Sequence, residues 1–276
     1  MLPWIAILRP LNLLQAALAV LLTTAFLGEM DQLYILILLM LSVIAINGGG
    51  NIINDIYDLE IDRINRPKRP LPAGAMTVTT AWIYLVFLFV AGVVLSGFIS
   101  MEAFIIAGPI SISTLIAYSV WLKRLPLIGN LAVSFMLGLA FIYVGAAFDH
   151  IETTLPMAAL AFGFTLIREI VKDLEDMAGD AGDNARTLPL IWGERKTLSF
   201  VIVLIGVFAV LDLLPYKLGI YDQVYLWIVL LGINLPLLVI ATILWRPGYK
   251  NYAVVQSFLK LDIFVGLAAL YFGRII

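Results

Sequence analysis

The feature that most constrains this chain is a series of nine long apolar segments. They lie near residues 10–28, 32–53, 78–98, 102–121, 126–147, 154–172, 198–215, 223–245 and 253–273. A helix that crosses a bilayer needs about 20 mostly apolar residues. Hydrophobic residues make up 62% of the 276 residues and charged residues 13%, against about half and about a quarter in soluble domains. The sequence therefore predicts an all-α, polytopic membrane protein with nine transmembrane helices and nearly excludes a soluble enzyme.

Residue types that are absent or rare exclude several kinds of site. The chain has no cysteine and a single histidine, His150, which excludes disulfides, thiol nucleophiles and metal sites built on Cys or His. The formal net charge of −2 gives no reason to expect a nucleic-acid partner. No cleavable-signal pattern precedes the first apolar segment, so we expect that segment to be retained.

Positive charge is concentrated on one side of the predicted membrane. Of the 17 Lys and Arg residues, 14 fall on the side of the two long loops, near 54–77 and 173–197. Lys217 and Arg274 fall on the other side, and Lys260 lies within the last segment. Because cytoplasmic loops are enriched in Lys and Arg, we expect a cell-membrane protein with the long loops and the N-terminus inside and the C-terminus outside.

The two long loops carry the same pattern, D-x-x-D-x-x-x-D followed by R-x-L-P. In order, the copies consist of Asp55, Asp58, Asp62 and Arg69, and of Asp173, Asp176, Asp180 and Arg186. They follow the second and the sixth predicted helix, so each repeat holds four helices, and an even number returns the chain to the same membrane face. We expect one domain over 1–276, with repeats of about 1–121 and 126–245 and an extra helix at about 253–273.

The spacing places the acidic side chains on one side of a helix. Positions i, i+3 and i+7 fall within about 60° of one another, and Asn54, Asp58 and Asp62 form a similar stripe. Carboxylates held close together raise one another's pKa unless cations separate them. Oxygen ligands without His or Cys favour Mg²⁺, which completes its coordination with water and substrate phosphate. One motif alone is typical of solvated loop charge, but two copies at equivalent places indicate a magnesium site.

Basic residues near the same face indicate that the site holds an anion. Arg168 and Lys172 lie one helical turn apart at the end of an apolar helix, where burial is costly unless they face acids or a polar cavity. Carboxylates and cations at the mouth of an apolar bundle suit a diphosphate bridged by Mg²⁺ and Arg or Lys. A role in topology alone is our interpretation of Arg195, Lys196, Arg246 and Lys250.

With these motifs the sequence resembles the UbiA superfamily of intramembrane prenyltransferases, over essentially the whole chain. Further matching residues are Arg9, Pro10 and Asn12 at the start of the first helix, and Tyr118, Ser119, Leu122, Lys123, Arg124, Gly129 and Asn130 between the fourth and fifth. The resemblance implies nine helices around a central cavity, with a polar cytoplasmic cap and a prenyl tunnel that reaches the lipid.

Within that superfamily, the run 168–180 is most similar to the archaeal digeranylgeranylglyceryl phosphate synthases. Those enzymes add a second geranylgeranyl group to geranylgeranylglyceryl phosphate in ether-lipid synthesis. Homogentisate prenyltransferases and chlorophyll synthases carry related second motifs. The resemblance therefore implies a prenyltransferase of phospholipid biosynthesis that takes an isoprenyl diphosphate as donor.

The resemblance also implies roles for individual residues. Bound Mg²⁺ would neutralise the departing diphosphate, and its implied ligands are Asp58, Asp62, Asp176 and Asp180. The residues implied either to bind the ion or to support those ligands are Asn54, Asp55 and Asp173. The implied catalytic contacts to the diphosphate are Lys123, Arg168 and Lys172. Further implied substrate contacts are Arg186, Asn12, Asn54, Tyr118, Arg63 and Lys68.

Two further groups of residues, aromatic and basic, are candidates for roles at this site. Aromatic rings could stabilise an allylic cation, although such rings in membrane helices more often pack or anchor. The candidates are Tyr57, Tyr118 and Tyr143. A phosphate on the acceptor would need cations of its own. The candidates for that role are Arg9, which is equally a topology anchor, Arg66 and Arg69.

Other functions stay open on the sequence. An aromatic-acceptor prenyltransferase of quinone or chlorophyll synthesis would use the same motifs. For either acceptor, the expected partners are the two substrates and the lipid bilayer, and we expect no obligate protein partner. A secondary transporter also combines repeats with intramembrane charge, but its charges should lie near the bilayer midplane rather than at one face. A cation-binding scaffold is the third alternative. Lys260 and Asp262, in the last segment, are functional candidates as intramembrane ionisable residues.

Overall fold

The computed structural model describes residues 2–182 and 186–273. Within that part of the chain the regular secondary structure is helical, and nine stretches are long and apolar enough to cross a membrane. They are Pro10–Leu27, Leu33–Tyr57, Val78–Gly97, Met101–Val120, Ile128–Ala147, Ile151–Met177, Glu194–Lys217, Gln223–Leu244 and Tyr252–Phe272. The prediction of an all-α polytopic protein with nine membrane-spanning helices is confirmed. Arg274 lies outside the described residues.

The α-helices are numbered in chain order. They are α1 (Pro3–Ala6), α2 (Pro10–Leu27), α3 (Leu33–Tyr57), α4 (Leu59–Asn65), α5 (Val78–Gly97), α6 (Met101–Ile105), α7 (Ser113–Val120), α8 (Ile128–Ala147), α9 (Ile151–Gly182), α10 (Leu188–Trp192), α11 (Glu194–Leu211), α12 (Leu214–Lys217), α13 (Gln223–Ile228), α14 (Leu235–Leu244) and α15 (Tyr252–Phe272). π-Helical stretches join α6 to α7 (Ile106–Ile112) and α13 to α14 (Val229–Asn234). The first contains Pro109, which cannot donate a regular helical hydrogen bond.

Two helices that carry acidic motifs are longer than predicted. α3 continues to Tyr57, beyond the predicted end near 53, and α9 continues to Gly182, beyond the predicted end near 172. An apolar run marks only the part of a helix that lies in hydrocarbon. The extension of α9 contains Leu, Glu, Met and Ala, which are good helix formers whether or not they are apolar. The second acidic motif is therefore helical rather than part of a loop.

The chain forms two compact units. The first comprises the residues up to Lys123 together with Leu139–Leu155. Its core lies where α3 packs against α5 and against the loop that precedes α5. The buried members are Ile7, Ile52, Ile53, Leu71, Met76, Ala81, Leu85 and Phe89. A Cβ at Gly49 would overlap the ring of Phe89, so only glycine permits this approach of α3 to α5.

The second unit comprises Arg124–Gly138 and the residues from Pro156 onward. A Cβ on Gly138 of α8 would lie 2.8 Å from the carbonyl oxygen of Ala158, so α8 and α9 approach backbone to backbone. A Cβ on Gly163 would lie 2.9 Å from the ring of Phe208, so this side chain of α11 packs directly on the backbone of α9. These contacts hold α9, the carrier of the second acidic motif, within its unit.

Candidate functional site

The first acidic motif lies where α3 gives way to α4. Asp58 has a non-helical backbone, with φ −95° and ψ 5°, between the two helices. Asp55 lies in the last turn of α3 and Asp62 in α4, and their side chains are only 2% and 7% exposed. The motif is therefore helical on both sides of its middle carboxylate, and two of its three acids are buried.

Arg69 holds both buried carboxylates. Its Nη1 lies 3.2 Å from Oδ1 of Asp55 and also donates a hydrogen bond to Asp62. Arg9 donates a second guanidinium hydrogen bond to Asp55. The sequence left open whether Asp55 binds an ion or supports the residues that do. Neutralisation by two guanidinium groups, away from solvent, favours the supporting role.

The placement of Arg9 depends on an uncommon backbone conformation. Its φ is 54°, in the left-handed region that residues other than glycine rarely adopt, and it directly precedes Pro10 at the start of α2. Asn51 of α3 donates to the carbonyl of Leu8 at 2.9 Å, which fixes the chain before α2 against α3. Strained residues are concentrated at functional sites. Here the strain serves to aim a guanidinium at Asp55.

Asp58 is the accessible carboxylate of the first motif. Its side chain is 27% exposed and forms an ion pair with Lys123, in the 3₁₀ turn after α7. Ser119 of α7 donates to Oδ1 of Asn54 at 2.7 Å. The structure therefore brings Lys123 and Asn54, both singled out from the sequence, beside Asp58.

The second acidic motif lies on one uninterrupted helix, α9. Asp173, Asp176 and Asp180 are each half-buried, whereas Glu175 between them is exposed. Asn130 of α8 donates to Oδ2 of Asp173 at 2.9 Å. The three Asp side chains share one side of α9, as their spacing predicted.

Glu169 is a buried carboxylate that the sequence pattern did not single out. It is 5% exposed, accepts a hydrogen bond from Arg168, and its Oε2 lies 3.8 Å from Nζ of Lys172. Gln256 of α15 donates to the backbone carbonyl of Arg168 at 2.6 Å. The two cations expected on α9 are thus held by an acid between them. The sequence could have indicated this role of Glu169, because a Glu within an apolar helix needs a charged or polar partner and the adjacent residue is Arg168.

The two R-x-L-P segments both bury their leucine. Leu71 is 6% exposed and Leu188 is 1% exposed. Their arginines differ: Arg69 reaches the first acidic motif, whereas the Arg186 side chain is exposed and its backbone N–H donates to the carbonyl of Arg124 at 3.0 Å. The repeated segment therefore anchors a loop in both copies and places a cation on the carboxylates in the first.

Several predicted substrate contacts lie at the surface. Arg63 pairs with Glu60 of α4, and both side chains are more than half exposed. Asn12, in the first turn of α2, and Lys68 are also exposed. Tyr118 is half-buried in α7. The ion pair that Arg63 forms is thus with Glu60 and not with a carboxylate of the first motif.

Two of the tyrosines considered for cation stabilisation have other partners. Tyr57 is exposed, and its ring meets Trp82 edge to face with centroids 6.3 Å apart. Tyr143 is buried and donates to Oγ of Ser42 at 2.9 Å. Ser42 precedes Asp55 by 13 residues on α3, which is about 20 Å along the helix axis. Tyr143 therefore contacts α3 well away from Asp55, and its role in cation stabilisation stays a prediction.

The available ligands suit a hard cation. Among residues 2–182 and 186–273, no group of three or more His, Cys, Asp or Glu side chains could hold a metal ion on its own. The accessible acids are divided between Asp58 in the first unit and Asp176 and Asp180 in the second. Carboxylate and amide oxygens without His or Cys are the ligands that Mg²⁺ prefers. Because Mg²⁺ usually takes one or two carboxylates and completes its coordination with water and phosphate, these acids are ligands of the required type.

Comparisons with curated proteins agree on one kind of enzyme. The chain is 40% identical to the digeranylgeranylglyceryl phosphate synthase of Thermococcus gammatolerans, over 96% of each chain. It is also 40% identical to the enzyme of the same name from Methanosphaera stadtmanae, over 83% of this chain and 84% of the relative. A relative of that name from Methanothermobacter thermautotrophicus is 34% identical over 97% of this chain and 95% of its own.

Solved structures share the fold over nearly the full length. A structure of digeranylgeranylglyceryl phosphate synthase superposes with a TM-score of 0.82 at 30% identity, covering 98% of this chain and 97% of its own. A UbiA homologue from Archaeoglobus fulgidus, bound to DMAPP and Mg²⁺, gives a TM-score of 0.73 at 19% identity, over 97% and 98% of the two chains. A sequence model of the UbiA prenyltransferase family matches residues 13–261. This multi-pass membrane protein therefore belongs to the UbiA prenyltransferase family.

Proposed function

We propose that this protein is a Mg²⁺-dependent digeranylgeranylglyceryl phosphate synthase. It transfers a geranylgeranyl group from its diphosphate to geranylgeranylglyceryl phosphate. The observation that carries the proposal is 40% identity, over 96% of both chains, to a relative of that name. The duplicated acidic motif supplies the chemistry that such a transfer requires, and the family's homologue with bound DMAPP and Mg²⁺ supports the metal.

We also propose that the two acidic motifs serve one diphosphate, within a single catalytic domain. The first follows the span Leu33–Tyr57 and the second closes the span Ile151–Met177. The segments between them are Val78–Gly97, Met101–Val120 and Ile128–Ala147, and Ile151–Met177 is the fourth crossing. Four crossings return the chain to its starting face. The Lys and Arg bias of the long loops supports a cytoplasmic location for that face.

The metal would be held by carboxylates from both motifs. Asp58 and Asp62 would contribute from the first motif, and Asp176 and Asp180 from the second. Bound Mg²⁺ supplies charge neutralisation at the diphosphate oxygens while the bond between the prenyl C1 and oxygen breaks. Asp55 and Asp173 would hold neighbouring groups in place, since Asp55 binds two guanidinium groups and Asp173 accepts from Asn130.

The cations of the site would stabilise the leaving group. Lys123, Arg168 and Lys172 lie beside the acidic motifs and would donate charge-assisted hydrogen bonds to diphosphate oxygens. Glu169 would keep Arg168 and Lys172 in position, because both contact its carboxylate. The acceptor hydroxyl oxygen forms the new bond to C1, and its proton passes to a carboxylate or to the departing diphosphate.

The test is an acceptor screen with purified protein in lipid nanodiscs. With geranylgeranyl diphosphate and Mg²⁺, we expect diphosphate release and a prenylated lipid only when geranylgeranylglyceryl phosphate is present, and neither with EDTA. Turnover only with an aromatic acceptor such as homogentisate would contradict the assigned acceptor. Absence of turnover with every acceptor, together with solute uptake by proteoliposomes, would contradict enzymatic function and favour a transporter.

A further inference from the structure

The cations of the first unit fall into two groups. It contains six Lys and Arg residues, four of which pair with carboxylates. The paired ones are Arg9, Arg63, Arg69 and Lys123. Within the part of the chain that the structure describes, Arg66 and Lys68 form no ion pair. Among the described residues, these two positive charges therefore have no paired carboxylate.

Both unpaired cations line one cleft. The cleft is open, encloses about 410 Å³, and is lined by Ala6, Arg66, Pro67, Lys68, Arg69 and Pro70. The guanidinium of Arg69 is turned to the first acidic motif, whereas Arg66 and Lys68 are exposed. Ala6 and the two prolines add apolar surface beside those charges. A cleft of this composition suits a ligand that joins an anionic group to an apolar one.

The cleft has a defined shape because its loop is anchored. The N–H of Arg69 donates to the carbonyl of Arg66 at 3.0 Å, and the N–H of Ala73 donates to the carbonyl of Arg69 at 2.9 Å. Leu71 and Met76 of the same loop are buried in the core of the unit. The two cations are therefore presented from a fixed turn, which lowers the entropy cost of binding.

The other wall of the cleft belongs to a helix suited to the membrane interface. In and next to α1, Leu2, Trp4 and Ile5 are exposed apolar side chains. Trp4 meets Tyr84 edge to face with centroids 5.3 Å apart. Tryptophan and tyrosine are enriched at the level of lipid headgroups, and exposed apolar side chains on a surface helix insert there. This arrangement indicates that Arg66 and Lys68 lie at the depth of lipid phosphates.

We propose that the cleft formed by Ala6 and residues 66–70 binds the phosphate of the lipid acceptor. The proposal rests on the proposed function and locates a second anion site, separate from the one for the donor diphosphate. An arginine can hold two phosphate oxygens and a lysine adds a point charge, which together match a phosphomonoester dianion. Of the three arginines considered from the sequence, Arg9 and Arg69 are occupied by Asp55, which leaves Arg66 with Lys68 as its neighbour.

The test is binding of tritiated geranylgeranylglyceryl phosphate to the full-length protein in neutral-lipid nanodiscs, without donor. The double variant Arg66→Gln/Lys68→Gln should bind at least about tenfold more weakly than wild type, because it loses charge-assisted contacts. Binding of the dephosphorylated lipid should be unchanged. The matched control, Arg195→Gln/Lys196→Gln, removes two exposed cations from the start of α11 and should bind like wild type.

Three results would overturn the proposal. They are equal binding by wild type and the double variant, an equal loss with the dephosphorylated lipid, and an equal loss in the α11 control. Glycerol 1-phosphate or inorganic phosphate should compete far more weakly than the lipid; equal competition would identify a free-anion site instead. Anionic bilayer lipid that competes as well as the acceptor would likewise contradict the proposal and indicate a general headgroup site. Because the assay contains no donor, failure of this proposal is distinct from failure of prenyl transfer.

Discussion

Replacement of Asp176 by alanine should lower the rate of prenyl transfer by about a hundredfold to a thousandfold, the usual cost of removing one electrostatic contact to a developing charge. Asp176 is half-buried on α9, one turn after Asp173. We expect a folded protein, because alanine is the best helix former. The measurement is initial-rate release of diphosphate at saturating donor and Mg²⁺, alongside size-exclusion elution of the variant.

The matched control is Glu175→Ala. It removes the same charge from the neighbouring residue of the same helix, but Glu175 is exposed, so the rate should stay close to that of wild type. The first motif allows the same comparison, with Asp58→Ala expected to abolish turnover and the exposed Glu60→Ala expected to preserve it. Wild-type rates in Asp176→Ala or Asp58→Ala would contradict the proposed metal site.

Replacement of Arg69 by alanine should destabilise the protein by about 3 kcal/mol, since removal of one partner from a buried ion pair leaves an uncompensated charge. Arg69 is 19% exposed and serves two carboxylates that are 2% and 7% exposed. Only Arg9 would then remain on Asp55, and Asp62 would lose its guanidinium partner. The measurement is the midpoint of thermal unfolding in detergent, which should fall by several degrees.

Arg63→Ala is the control for this prediction. Arg63 pairs with Glu60 at the surface, where both side chains are more than half exposed, so its loss should barely move the midpoint. The double variant Asp62→Asn/Arg69→Ala should recover part of the lost stability, because it also removes the carboxylate that Arg69→Ala leaves without a partner. An unfolding midpoint in Arg69→Ala equal to that of wild type would show that Arg69 does not stabilise the first motif.

The membrane-spanning helices were predictable because burial in lipid constrains composition directly. Eight of the observed spans both start and end within about four residues of the predicted segments, and α9 is the main exception. Its polar continuation lies beyond the hydrocarbon, where helix propensity rather than hydropathy decides the backbone. The same reasoning explains why the acidic spacing of the second motif indicated a helix although the apolar run had already ended.

The carboxylates of the site were predictable from the sequence, but which of them are buried against arginine and which are accessible was not. The repeat singled out Asp55 and Asp58 alike. Only their contacts distinguish Asp55, a buried acid between two guanidinium groups, from Asp58, a partly exposed acid beside Lys123. Arg9 could not be assigned from sequence, because its orientation depends on a left-handed backbone before Pro10. Residue type and spacing define which groups are available, whereas pairing depends on tertiary geometry.

We propose that two acidic motifs, far apart in sequence, act on one diphosphate at one face of the membrane. The chain has no cysteine, so Glu60→Cys/Glu175→Cys places spin labels only beside the two motifs. Double electron–electron resonance in nanodiscs should give a main distance below about 30 Å, less than the thickness of the hydrocarbon core. A main distance above about 40 Å, the separation of opposite faces of a bilayer, would contradict the claim.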